Sequence, residues 1–114
     1  MGDLSRNFSR AEFACKCGCG WDTVDARLLE ALQVRRSAHG KSIKINSGCR
    51  CEVYNEQVGG ARTSQHLAGR AADIVEAGVS PRETQDYFEE LGMSVGRYDT
   101  FTHVDSRSGN PARW

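Results

Sequence analysis

No charge of either sign dominates this sequence. Lys plus Arg number 15 and Asp plus Glu number 15, so the 114 residues offer no net field to attract nucleic acid or an anionic membrane surface. No stretch has the length and apolarity of a membrane helix. The opening residues, MGDLSRNFSRAEF, lack a basic run followed by an apolar core, so no Sec-type signal peptide is expected. Gly2 begins a myristoylation pattern, but Arg6 stands where that pattern wants Ser or Thr. Repeats, low-complexity tracts and linkers are also missing. The expectation is a single domain over residues 1–114, large enough for one hydrophobic core, monomeric, with neither nucleic acid nor membrane as partner.

Cysteine, by contrast, is plentiful and odd in number. The five fall in two clusters, Cys15, Cys17 and Cys19 in CKCGCG and Cys49 and Cys51 in CRC. Alternate spacing is not the C-x-x-C of a zinc knuckle or a thioredoxin motif. Three readings stand: reduced thiols, one or two disulfides between the clusters, or four thiols holding a structural metal. The missing signal peptide favours reduced thiols on synthesis, with disulfides open after release.

Along the chain, Ser9 followed by Glu12 reads as a capping box for a short helical turn at residues 8–13. Asp22 or Thr23 can cap a helix over residues 24–38 that ends at Gly40. In it Leu28, Leu29, Leu32 and Val34 lie near helical spacing, while Arg27, Glu30, Arg35 and Arg36 read as solvent cover. Residues 42–46 alternate as a short strand with Ile43 and Ile45 inward. A helical turn over 51–58, a loop over 64–68 and a central strand over 71–75 follow. Ser80, Pro81 and Glu83 start a helix that runs to Leu91, with Tyr87, Phe88 and Leu91 available for the core, before Gly92 stops it. Residues 93–98 and 100–105 form a final strand pair or one bent strand. The fold class expected is α+β, with helices packed on one side of a small, mainly antiparallel sheet.

The chemistry gathers in Ser47 to Ile74, SGCRCEVYNEQVGGARTSQHLAGRAADI. His66 and Asp73 are good ligands for zinc or a similar ion. Seven residues of helix would hold their Cα atoms about 10 Å apart and seven of strand about 23 Å, so the chain must turn back between them. Gly69 is placed to allow that turn. Alone, the pair reads more readily as a surface His and a solvated Asp, and a third ligand is needed. His103 supplies it, because strand alternation puts Phe101, His103 and Asp105 on one face. Three protein ligands with a fourth position left for water is the pattern of a catalytic zinc site.

Together SGCRC, VGGARTSQHLAGRAADI and YDTFTHVD resemble the zinc D-Ala-D-Ala carboxypeptidases and related peptidoglycan peptidases, family M15, with the hedgehog/DD-peptidase fold. The superfamily also holds phage L-alanyl-D-glutamate endolysins and D,D-dipeptidases. The resemblance spans residues 8–114 and rests on SxHxxGxAxD followed by an HxD strand. It implies Zn2+ held by His66, Asp73 and His103, and a role for Arg50, which matches the Arg of SGxR. Arg50 then stabilises the oxyanion, or makes only a surface salt bridge. Ser64 and Gln65 bind the peptide stem or stabilise their loop. Many relatives carry a carboxylate three residues before the last His; here that position is Thr100. Asp99 is the first candidate for the general base and Asp105 the second, the latter equally able to orient a histidine.

The function implied is hydrolysis of a peptide bond in bacterial peptidoglycan, as a D,D-carboxypeptidase, an endopeptidase or a phage endolysin. The enzyme would be made in the cytoplasm and would act on the wall after release. A zinc-containing module that binds wall peptides without cutting them is the alternative. A small interaction domain stabilised by disulfides or metal is the third.

Overall fold

The computed structural model describes residues 3–61 and 64–114, which leaves Gly2 and two residues of the 58–74 motif, Arg62 and Thr63, outside it. The described residues form four α-helices, α1 (Arg10–Phe13), α2 (Ala26–His39), α3 (Glu52–Gln57) and α4 (Pro81–Glu90), and four strands. The strands are β1 (Ile43–Ser47), β2 (Ala71–Glu76), β3 (Ser94–Arg97) and β4 (Thr102–Asp105), and the chain order is α1-α2-β1-α3-β2-α4-β3-β4. The strands form one sheet in the order β1-β2-β4-β3, each neighbouring pair antiparallel. This is the expected α+β architecture. β2 lies in the sheet interior, as its run of small and apolar residues requires.

Period-two alternation sorts the sheet into two faces. Ile43, Ile45, Ala72, Ile74, Val95 and Val104 join Leu28 and Leu32 of α2, Phe88 of α4 and Phe13 of α1 in one buried apolar cluster. The helices therefore cover one face, and the other is left for Asp73 and His103. Burial of each large apolar side chain contributes roughly 1.5–3 kcal/mol, which fixes this face as the inside.

Helix ends are set by side chains. Ser80 Oγ accepts the Glu83 N–H at 3.3 Å, with Pro81 at the first helical position. The Glu12 carboxylate accepts the Ser9 N–H at 2.7 Å. The cap of α2 is Asp25, not Asp22 or Thr23: its carboxylate accepts from Arg27 and Leu28 at 3.1 and 3.3 Å and from the Ser106 hydroxyl at 2.8 Å. The helix thus begins where its cap can also fasten the end of β4.

Three expectations on the helices are corrected. Val34 and Leu91 are half exposed rather than in the core. Arg35, expected as solvent cover, is buried at 7 % exposure. Its guanidinium grips the fully buried Glu76 carboxylate of β2 through three contacts of 3.0–3.2 Å and lies 4.4 Å from the centroid of the Tyr87 ring. Thr84 of α4 donates to the same carboxylate at 2.6 Å. One buried ion pair thus joins α2, β2 and α4. Removing a single partner of such a pair leaves an unmatched buried charge and costs about 3–5 kcal/mol. Glu76→Ala is expected to lower the unfolding free energy by that amount, read as a lower denaturant midpoint at unchanged slope; an unaltered midpoint would show that the pair contributes nothing.

Candidate metal centre

Asp73 on β2 stands directly opposite His103 on β4 in the antiparallel register, so one strand pair delivers two donors to the face away from the core. The third donor, His66, lies on a single 3₁₀ turn, Gln65–Ala68, whose start is capped by Ser64 Oγ accepting the His66 N–H at 3.2 Å. The turn ends at Gly69 with φ at 67°, and there the chain reverses into β2. A Cβ at this position would meet the Thr23 carbonyl oxygen at 2.4 Å, so both the dihedral and the space demand glycine.

These three side chains converge. Asp73 Oδ1 lies 3.1 Å from His103 Nδ1 and 3.3 Å from His66 Nε2. One candidate ligand atom from each residue falls within 4.8 Å of the other two. Each imidazole has its second nitrogen committed elsewhere. His66 Nδ1 is 2.6 Å from the Gly48 carbonyl oxygen, which only accepts, so this nitrogen carries the proton. His103 Nε2 faces Asp105 Oδ2 at 2.8 Å and donates to it. In the neutral tautomers both remaining lone pairs point at a carboxylate oxygen, an arrangement that calls for a cation between them. Ligand atoms about 2.0–2.1 Å from a tetrahedral zinc stand roughly 3.3 Å apart. The observed separations match, and the donor set fits that ion.

The electrostatics show the same demand for positive charge beside Asp73. Burial pushes its carboxyl up, but the facing nitrogens of His103 and His66, carrying protons in place of a cation, outweigh it and hold the group far below the usual carboxylate range. Burial pulls His103 down, and Asp105 and Asp73 more than reverse that. Asp105 is fully buried; burial raises it, while Arg107 and then His103 hold it well below its ordinary value. Arg107 clamps it with Nε and Nη2 at 2.8 and 2.7 Å, and the Arg107 backbone N–H adds a third bond at 3.1 Å.

Arg50 approaches from the other side. Its Nη2 donates to Asp73 Oδ2 at 3.4 Å, Nη1 to Asn55 Oδ1 at 3.2 Å and Nε to Ser47 Oγ at 3.3 Å. Its backbone N–H bonds the His66 carbonyl at 2.9 Å. One N–H on each terminal nitrogen remains for a ligand.

A cleft of about 410 Å³ opens over this centre. Arg50, Ser64, Gln65, His66, Asp73 and His103 line it, together with Tyr98, Phe101, Arg107 and Trp114. Asp105 lies one step behind His103. Asp99 lies outside: it is exposed in the β3–β4 turn and, with Thr100, lines a separate depression alongside Val79 and Pro81. Tyr98 and Phe101 stack at 4.3 Å to form one wall, and Trp114 packs 4.8 Å from the His103 ring. Arg107 could have been anticipated by continuing strand alternation past Asp105. Trp114 could not, because its place depends on the tail pairing beside β3 through Arg97 and Val95.

The sequence profile of the peptidase M15 family matches residues 6–105. A zinc D-Ala-D-Ala carboxypeptidase from Streptomyces albus G is 31 % identical over 120 residues, an alignment covering 90 % of this chain and 47 % of that protein. The chain therefore spans about half the length of this relative. SGxR, SxHxxGxAxD and HxD occur in order within the matched region and build the centre just described. The protein belongs to the peptidase M15 family.

Proposed function

We propose that the protein is a zinc peptidase that hydrolyses a peptide bond in the stem or cross-link peptides of bacterial peptidoglycan. One observation carries the reading. Two imidazole lone pairs and a carboxylate oxygen are preset around one point, with every other ring nitrogen already spent, on the floor of an open cleft. The similarity to a zinc D-Ala-D-Ala carboxypeptidase supports the ion and the substrate class.

His66, Asp73 and His103 would hold the zinc, which would polarise the scissile carbonyl and lower the pKa of a bound water to about 7. Arg50 lines the cleft and, among the described residues, keeps one N–H on each terminal nitrogen for the negative charge that develops on the carbonyl oxygen. Ser64 and Gln65 offer hydroxyl and amide groups to the peptide backbone, and Tyr98, Phe101 and Trp114 provide apolar walls for a small side chain. Asp105 acts as a positioning residue: it fixes the tautomer and the orientation of His103. Asp99 is the remaining candidate for proton acceptor, an exposed carboxylate without an ion-pair partner among the described residues, next to the cleft wall at Tyr98.

A second reading has its own observation. Among the described residues lining the cleft, Asp73 is the only carboxylate. A module that binds wall peptides through zinc without cutting them would need no more.

The first of five measurements decides between these, and the others test the residues and the bond. Purified peptidoglycan incubated with the zinc-loaded protein should yield new amino groups, abolished by a chelator, by His66→Ala and by His103→Ala; binding without release would establish the module instead. Mass spectrometry of the digest assigns the bond, since free D-alanine marks a carboxypeptidase and new internal termini an endopeptidase of endolysin type. Arg50→Lys should lower kcat about 10²–10³-fold with zinc content unchanged. Asp105→Asn should weaken zinc affinity about 10–100-fold. Asp99→Asn should lower kcat and leave zinc bound; full activity in that variant would remove Asp99 from the mechanism.

A further inference from the structure

The M15 centre uses none of the five cysteines, and four of them lie together at another place. Cys15, Cys17 and Cys19 come from the loop after α1, and Cys51 from the segment that leads into α3. Their four Sγ atoms all lie within 4.8 Å of one another. Cys15 is 3.5 Å from Cys17 and 3.8 Å from Cys51, and Cys17 is 3.7 Å from Cys51. We propose that Cys15, Cys17, Cys19 and Cys51 form a second metal centre, a structural tetrathiolate site for zinc.

Distance decides between the three readings of these cysteines. Sulfurs about 2.3 Å from a tetrahedral zinc stand roughly 3.8 Å apart, the separation found here. A disulfide brings one pair to about 2.0 Å and leaves the others out. Here three sulfurs are nearly equidistant and no pair is singled out. Free thiols have no reason to converge four at a time on an exposed loop, where Cys17 and Cys19 face solvent. Backbone geometry serves the cluster as well. Gly18 and Gly20 both take positive φ, which turns the alternate cysteines of CKCGCG to one side. The Cys51 N–H points at Cys15 Sγ and the Tyr54 N–H at Cys51 Sγ, each at 3.4 Å, the outer donors that a thiolate bound to metal requires.

The odd cysteine is accounted for too. Cys49 is buried apart from the cluster, and its thiol donates to the Trp21 carbonyl at 2.9 Å. Five cysteines therefore divide into four ligands and one buried thiol.

The placement gives the site its purpose. Cys51 directly follows Arg50, and the loop that holds the other three ligands is pinned by the Cys49 N–H to the Phe13 carbonyl at 2.8 Å. An ion here ties the N-terminal segment to the segment presenting Arg50. Binding displaces the four thiol protons to solvent as Zn2+ enters. The existence of this centre does not depend on the peptidase reading; only its effect on activity does.

Native mass spectrometry and metal analysis test it. The full chain is expected to carry two zinc ions, the double variant His66→Ala/His103→Ala one, and Cys17→Ser/Cys51→Ser one. The His variant loaded with Co2+ alone should show a thiolate-to-cobalt charge-transfer band. In the wild-type protein, four thiols should resist a thiol reagent until a chelator is added, and five should react after unfolding without reductant. That thiol count and the His variant carry the test should the Cys variant fail to fold. A His variant that binds no metal with all five thiols reduced would overturn the proposal, as would a disulfide mapped between the two clusters.

Discussion

The facing of Asp73 and His103 across β2 and β4 is the constraint on which the molecule is arranged. In an antiparallel ladder, the side chains of directly opposed residues project to the same face, so this one register both builds the metal site and assigns the neighbours Ile74 and Val104 to the core. A slip of one residue would bury a carboxylate among Leu28, Leu32 and Phe88 and expose the apolar set. The register is held from below by the Glu76 carboxylate, locked to Arg35 and Thr84 at the far end of the same strand. It is held from above by Gly69, whose reversal sets where β2 begins. The chemistry of one face and the packing of the other are therefore a single problem of alignment.

What was legible in the sequence is what short-range rules govern. Alternation gave the strands and their inward residues; Ser80 with Pro81, and Gly92, bounded α4; Gly69 announced the turn that lets His66 meet Asp73. The illegible parts depend on partners far along the chain. Arg35 looks like solvent cover within its helix, and only β2 supplies the carboxylate that makes burial favourable. Val34 and Leu91 are apolar at roughly helical spacing, yet no element packs over them, and they stay half exposed. Asp105 was readable as either a base or a support for His103; its bonds to Arg107 and His103 account for all its visible partners. Trp114 reaches the cleft through a backbone pairing that no local pattern encodes.

The segment around Arg50 is where separate demands meet. Arg50 is bonded to Asp73 through its guanidinium and to the His66 carbonyl through its backbone N–H. Its neighbours on both sides are cysteines with different surroundings, one a buried thiol against Trp21 and one in the four-sulfur cluster. An arginine with long, rotatable side-chain bonds is a poor fixed donor unless its backbone and its guanidinium are both held. Ser47, Asn55 and Asp73 hold the head, and backbone bonds from Cys49, Arg50 and Cys51 to Phe13, His66 and Cys15 hold the chain on which it sits.

The Tyr98–Phe101 wall is fastened differently from the metal ligands. Gln85 of α4 donates its side-chain amide to the Tyr98 and Phe101 carbonyls at 3.0 and 3.3 Å, and so anchors both ends of the β3–β4 turn without touching His66, Asp73 or His103. The metal ligands and the wall of the cleft are thus fastened separately. A lineage can exchange the residues of this turn, or lengthen it between its two anchored carbonyls, and reshape the cleft while His66, Asp73 and His103 are left in place.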